Sequence, residues 1–187
     1  MRGLPELHTA RLILRPAHPR LAKAAADYYA RNREFLTPFE PAFPEGFCTI
    51  AYQKALMKQD RAAAKEDRGL RYWVFRKDSP DTAIGCVALN NIILGAFRSC
   101  FLAYKMDQTL LRQGYASEAV LAVVELAFRG LNLHRIEANI LPRNAASLAL
   151  ARKCGFKEEG HSPKYLRING VWEDHIHMVR LNEEESE

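Results

Sequence analysis

Gln108-Thr-Leu-Leu-Arg-Gln-Gly-Tyr-Ala-Ser-Glu-Ala-Val-Leu-Ala-Val-Val-Glu-Leu-Ala-Phe-Arg-Gly130 is the stretch whose reading decides the fold. It opens as a short polar loop and becomes a long, almost wholly apolar helix. The charges well inside that helix, Glu118, Glu125 and Arg129, are spaced by seven and four and share one narrow stripe. The rest of its surface must therefore be covered by protein. Gly114 falls at the first turn, where backbone N–H groups have no intrahelical partner and a missing Cβ lets a ligand approach them. Those N–H groups and the helix dipole suit an anion such as a phosphate. Cys100–Met106, just before the loop, reads as a strand. Strand, glycine-bearing loop and buried helix together predict a phosphate cradle.

Upstream, Arg11–Arg15 alternates and reads as a strand closed by Pro16, and the alanine-rich Pro19–Arg33 reads as a helix. Phe35–Phe47 holds Pro38, Pro41 and Pro44, which restrict the backbone and predict a loop. That loop is either a surface connector or a wall of an acceptor pocket, because Phe35, Phe39, Phe43 and Phe47 are costly to leave in water. Thr49 is a plausible cap for a second helix reaching about Arg68, with Gly69 as its stop. Arg71–Arg76 and Ala83–Asn91 read as a hairpin around the turn Asp78-Ser79-Pro80-Asp81, and Cys100–Met106 extends it to an antiparallel meander.

Downstream, Gly130 ends the long helix, His134–Leu141 is a strand stopped by Pro142, and Asn144 opens a helix ending at Cys154-Gly155. Phe156–Gly160 and Val171–Leu181 are the last strands, around a turn at Asn169-Gly170. The acidic tail Glu183–Glu187 reads as solvated. This order predicts an α/β (α+β) chain with one core, forming a single domain over residues 1–187.

Composition narrows the class. At 187 residues the chain can bury a substantial core. Its net charge of +5 is scattered rather than gathered into a basic run, which argues against specific nucleic-acid binding. The four cysteines, Cys48, Cys86, Cys100 and Cys154, show no paired spacing, and Met1-Arg2-Gly3 leads into no signal-peptide apolar run. No stretch approaches membrane-spanning length, so the expected home is the reducing cytoplasm, away from the membrane.

The second informative stretch is Asn144-Ala-Ala-Ser-Leu-Ala-Leu-Ala-Arg-Lys-Cys-Gly-Phe156. Asn144 suits a helix cap, and its amide can cap with oxygen while donating outward through nitrogen. From Leu7-His-Thr-Ala-Arg-Leu-Ile-Leu-Arg-Pro16 to Gly170-Val-Trp-Glu-Asp-His175, the chain resembles the GNAT superfamily of acetyl-CoA-dependent N-acetyltransferases. It looks most like the branch of bacterial ribosomal-protein-alanine N-acetyltransferases. The residues that carry the resemblance are the loop (Gln/Arg)-x-x-Gly-x-(Gly/Ala), His134-Arg-Ile-Glu-Ala138, Asn144-x-x-Ser147 and Lys153-x-Gly155-Phe156. Gly114 and Ala116 match the loop, but Leu111 stands where glutamine or arginine is usual.

The resemblance implies a mixed, mostly antiparallel sheet with helices on both faces and splayed central strands. It implies acetyl-CoA as co-substrate and no metal. Leu111, Arg112, Gln113, Gly114, Tyr115, Ala116 and Ser117 would form the pyrophosphate cradle, with the amides of Arg112 to Ser117 as donors and Arg112 or Arg152 adding charge. The pantetheine arm would lie between Phe101–Met106 and Arg135–Leu141, beside Tyr104, Met106 and Asn139, and would receive a hydrogen bond from Asn144.

Amine attack on the thioester needs a base, an oxyanion donor and a proton for the thiolate. Some relatives place a glutamate before the Asn144 position and a tyrosine after it; here those positions hold Asn139 and Ala151. The resemblance maps the proton donor onto Ser147. Arg135, Glu137 and Asn139 alternate onto one strand face, so Glu137 either pairs structurally with Arg135, the reading we favour, or polarises a water as the base. Asp174, alternating with Trp172 and Ile176, is expected to be buried and paired. His175 and His177 share the opposite face without a third ligand for zinc, and His134 reads as a positioning residue. The expected acceptor is a protein N-terminal amine, as on a ribosomal protein. A small amine and a non-catalytic acyl-CoA-binding module are the alternatives, and a homodimer is compatible with the resemblance.

Overall fold

Alternation along the central strands sets the architecture. Tyr72 and Val74 join one apolar cluster with Val120 and Val123, whereas Trp73 and Phe75 join a second with Tyr28, Tyr29 and Met57. Successive strand side chains point to opposite faces, so the sheet is buried on both. The computed structural model describes residues 4–183. Its strands are β1 (Leu7–His8), β2 (Leu12–Pro16), β3 (Gly69–Arg76), β4 (Ser79–Ile93), β5 (Ser99–Met106), β6 (Arg135–Ile140), β7 (Lys157–Ile168) and β8 (Val171–Leu181). They form one sheet in the order β1-β2-β3-β4-β5-β6-β8-β7. Every neighbouring pair is antiparallel except β5 and β6, which run parallel. Helices α1 (Ala22–Leu36) and α2 (Ile50–Lys65) cover one face; α3 (Tyr115–Glu125) and α4 (Ala145–Lys153) cover the other. This is the expected mixed α/β sheet with helices on both faces.

Several boundaries differ from those read in the sequence. The second helix stops at Lys65, and Asp67, at φ 53°, takes the left-handed turn expected of Gly69, which instead begins β3. The first hairpin turns at Lys77-Asp78, so Pro80 lies inside β4. There the register jumps from Arg76↔Ser79 to Phe75↔Ala83, a bulge in which a proline needs no ladder partner. The apolar helix is not α-helical throughout: Leu126–Gly130 forms a π turn, with the Leu131 amide reaching Leu126 O at 3.0 Å.

Asp174 was expected to be buried, yet Trp172 is 58% exposed and the Asp174 carboxylate is partly open. The β7–β8 hairpin continues past the last β6 pair, Ile140↔Ile176, so among the described residues it extends there as a two-stranded ribbon beyond the main sheet. Asp174 is nonetheless paired, accepting from the Lys164 amide at 2.9 Å and lying 3.3 Å from His161 Nε2. Of the acidic tail, residues 184–187 lie outside the described residues.

Candidate active site

The loop between β5 and α3 is held from two sides. Asp107, 3% exposed, caps its first turn, accepting from the Thr109 amide at 3.1 Å, and its other oxygen receives Arg31 Nε at 2.6 Å and Asn32 Nδ2 at 3.2 Å. Asn32 Oδ1 in turn accepts from the Gln108 amide at 3.0 Å. Helix α1 therefore fixes where the loop begins. Burial pushes the Asp107 carboxyl up, but hydrogen bonds led by Arg31 outweigh it and hold the group below its ordinary value of 3.8.

The other anchor is Glu118, expected to lie with Glu125 and Arg129 on one charged stripe. Glu125 and Arg129 do pair on the surface, at 3.2 Å. Glu118 is taken up by the chain's first strands. It accepts from the Thr9 hydroxyl at 2.6 Å, the Arg11 amide at 2.8 Å and Arg11 Nε at 2.7 Å. Arg11 also donates to Gln113 O at 2.9 Å and lies over the Tyr115 ring at 4.3 Å. Sequence reading missed this brace; its signal was the Thr9-x-Arg11 pair within the opening motif.

Between the anchors, Arg112 (φ 60°) and Gly114 (φ 83°) are both left-handed. A Cβ on Gly114 would lie 3.2 Å from Arg11 Nη2, so the dihedral favours glycine and any side chain would push the brace back by a few tenths of an ångström. Among the described residues, the backbone amides of Leu111 to Ser117 meet no protein acceptor; the first bond of α3 runs from the Glu118 amide to Gly114 O. The Leu111 side chain points away, 42% exposed. A row of free amides at a helix start fits a diphosphate.

Beside this loop the sheet forks. Strands β5 and β6 pair only at Ser99↔Arg135, Cys100↔Ile136 and Phe101↔Glu137. Beyond that, β5 stays with β4 as far as Gly85↔Met106, and β6 stays with β8 as far as Ile140↔Ile176. Leu102–Met106 and Ala138–Ile140 thus have no partner strand across the gap. These are main-chain edges to which an extended, amide-bearing chain can pair.

The two sides of the fork carry different chemistry. On the α3–α4 side, the Tyr104 hydroxyl donates to Ser147 O at 3.0 Å and receives the Ser147 hydroxyl at 2.8 Å. Burial pushes the Tyr104 phenol up to about 12. Asn144 caps α4, its Oδ1 accepting from the Ser147 amide at 3.1 Å. Met106 is buried in the core with Val120 and Val123, which leaves its main chain as the part that an arm in the fork could meet. Arg152 pairs with Glu158 at 3.2 Å at the far end of α4 from Asn144, and among the described residues no ion pair or hydrogen bond joins it to the loop.

On the opposite side lie Arg135, Glu137 and Asn139, since their neighbours Ile136, Ala138 and Ile140 fill the α3-side core. Arg135 donates to Glu137 Oε2 at 2.9 Å, as expected of a structural pair, but Glu137 Oε1 also meets His177 Nδ1 at 2.9 Å. Burial raises the Glu137 carboxyl, and the hydrogen bonds from Arg135 and His177 bring it below its ordinary 4.5. Asn139 donates to the Tyr165 hydroxyl at 3.2 Å, while its buried Oδ1 has no partner among the described residues. Strand alternation therefore separates Asn139 from Tyr104 and Ser147, with which it was grouped. His175 is 3% exposed and bonded at Nδ1 to Glu173 O; burial pushes its ring down in pKa. Among the described residues, no cluster of His, Cys, Asp and Glu could hold a metal, and no helix is long and apolar enough to cross a membrane.

The proline-rich segment divides its aromatic side chains. Phe43 and Phe47 stack at 4.7 Å and pack on Tyr29 in the second cluster. Its Thr37–Glu40 portion faces the fork instead. Arg143 donates to Pro38 O at 2.9 Å and to Glu173 at 2.6 Å, and Glu40 pairs with Lys105 of β5 at 2.8 Å. Glu40 and Glu173 beside this segment are thus each matched by a cation.

The acetyltransferase (GNAT) domain family matches residues 11–157. The chain is 35% identical over 170 residues to the [ribosomal protein uS5]-alanine N-acetyltransferase of Escherichia coli (strain K12), covering 91% of this chain and 87% of that protein. Among solved structures, the ribosomal-protein-S5-alanine acetyltransferase from Vibrio fischeri superposes with a TM-score of 0.91 at 31% identity, covering 98% of this chain and 100% of that one. RimJ from Mycobacterium smegmatis, solved in complex with CoA-disulfide, superposes with a TM-score of 0.87 at 28% identity, covering 94% of this chain and 84% of that one.

Proposed function

The chain belongs to the acetyltransferase (GNAT) family and is an acetyl-CoA-dependent N-acetyltransferase, and from that premise we propose that its acceptor is the N-terminal α-amine of a protein, most closely a ribosomal protein. The observation that carries direct transfer is the fork, whose strands part after Phe101↔Glu137 and open a passage between two chemically distinct sides. The identity of the acceptor is supported by the relative from Escherichia coli, a [ribosomal protein uS5]-alanine N-acetyltransferase. The acceptor side is walled by Pro38–Glu40 and the β7–β8 hairpin, with Glu40 and Glu173 each paired to a cation.

In this reading, the amides of Arg112 to Ser117 hold the diphosphate of acetyl-CoA, and Arg11 and Asp107 keep the loop open to it. The unpaired edges of β5 and β6 bind the pantetheine amides, with Asn144 Nδ2 as a further donor. The amine enters from the Asn139 side and attacks the thioester carbon. The Tyr104–Ser147 pair supplies the proton that the departing thiolate takes.

The test is CoA release by the full chain against N-terminal peptides of ribosomal proteins, spermidine and free amino acids. Turnover led by alanine-terminated peptides is expected. Turnover of the small amines with none on any peptide would overturn the acceptor assignment.

A further inference from the structure

Glu137, His177 and Ser162 form one hydrogen-bonded line at the point where the sheet opens. Glu137 belongs to the last β5–β6 pair, and His177 is the cross-strand partner of Asn139, two residues further into the fork. His177 Nδ1 lies 2.9 Å from Glu137 Oε1, and its Nε2 lies 2.7 Å from Ser162 Oγ on β7. Arg135 pins the other Glu137 oxygen at 2.9 Å.

Chemistry orients this line. Held ionised, Glu137 only accepts, so the imidazole proton sits on Nδ1. In the neutral ring Nε2 is then a lone pair, to which Ser162 donates. The free lone pairs of Ser162 Oγ are left to accept from a third group. Nearby, Asn139 Oδ1 is buried and unpartnered, and Tyr165 sets its ring edge-on to His177 at 5.0 Å while its hydroxyl accepts from Asn139. A buried acceptor without a donor among the described residues, on the strand across His177 from a serine with acceptor capacity to spare, is an environment for a group rich in N–H bonds.

We propose that Ser162, His177 and Glu137 are the proton relay that converts the acceptor ammonium to the attacking amine, with Asn139 Oδ1 holding a second ammonium hydrogen. This rests on the N-acetyltransfer reading above. An ammonium N–H bond breaks and its proton goes to Ser162 Oγ, while the serine's own proton passes to His177 Nε2. The imidazolium so formed is paired with Glu137. The free amine forms the C–N bond and the C–S bond breaks. The nitrogen gives its second proton to solvent, Tyr104 and Ser147 give one to the thiolate and are restored from solvent, and His177 returns its proton to solvent, so that one proton is released overall. Glu137 acts through His177 and is a positioning residue. The charged and titratable groups around His177 are Glu137 and Arg135 from β6, Glu159, Ser162 and Tyr165 from β7, and His175 from β8.

The test is the pH profile of kcat and kcat/KM for His177→Gln and Ser162→Ala with an alanine-terminated peptide, alongside acetyl-CoA affinity and thermal melting. Glutamine can keep both hydrogen bonds but cannot carry the proton. His177→Gln is expected to lower kcat about 10²-fold near neutrality with acetyl-CoA affinity unchanged. The deficit should shrink above a pH of about 8, where an α-amine deprotonates unaided. Ser162→Ala should show the same shape with a smaller loss, and reads the same limb should the glutamine variant melt early. Wild-type-like kcat and pH profiles in both variants would overturn the relay, as would equal losses at every pH. A wild-type chain that acetylates no amine would instead overturn the acceptor reading, so the two failures are distinguishable.

Discussion

Tyr104 and Ser147, 43 residues apart in sequence, exchange two hydrogen bonds: the phenol donates to the serine carbonyl at 3.0 Å and accepts the serine hydroxyl at 2.8 Å. Ser147, onto which the resemblance maps the proton donor, is therefore hydrogen-bonded to a strand residue of the same fork. Tyr104→Phe should lower kcat about 10²-fold with acetyl-CoA affinity nearly unchanged. Ser147→Ala should cost less, and the double variant little more than Tyr104→Phe, because the two act as one unit. The donor must be protonated, and the phenol stays so up to about 12. Steady-state kcat should show no alkaline fall from this group below that pH.

Gly114→Ala forces a side chain into a left-handed backbone at φ 83° and against Arg11. The strain is about 1–2 kcal/mol. Its larger consequence is local: twisting the loop turns its amides away from the diphosphate. Calorimetric titration with acetyl-CoA should show at least tenfold weaker binding, about 1.4 kcal/mol, while the melt moves only by a few degrees.

Gly85→Ala tests the wall of the fork. Its Cβ would fall 2.3 Å from Lys105 O, a backbone atom that cannot step aside without breaking the β4–β5 ladder. A loss of about 3 kcal/mol in chemical denaturation is expected.

Acid should loosen both anchors of the loop. Asp107 and Glu118 titrate below their ordinary 3.8 and 4.5 in the folded chain. A depressed carboxyl stabilises the fold above its unfolded value and loses that contribution as pH falls through the folded one. Melting temperature should accordingly drop below a pH of about 4.5. Asp107→Asn should melt lower at neutral pH, by about 2–3 kcal/mol of stability, and show a shallower acid fall.

Local patterns made most of this fold legible. The meander, the apolar helix, the Asn144 cap and the Asn169-Gly170 turn each follow from dihedral preference or hydrophobic period over a few residues, and all four appear. What sequence could not give were partners chosen at long range. Glu118 looked like part of a solvated stripe because Thr9 and Arg11 lie 109 and 107 residues away. Asp174 looked buried by alternation, but only topology reveals that β6 ends before it. The helix of residues 50–65 was given a glycine stop because an aspartate in the left-handed region is the rarer choice. The line from Glu137 through His177 to Ser162 needs the β6–β8–β7 order, which no single motif encodes.

Hydrogen exchange of the full chain with and without acetyl-CoA bears most directly on the fork. Amides of Arg112–Ser117, and those of Leu102–Met106 and Ala138–Ile140 that face the gap rather than β4 or β8, should gain protection together on adding acetyl-CoA, since these have no protein partner among the described residues. Unchanged exchange at all three, with protection arising elsewhere, would contradict binding in the fork.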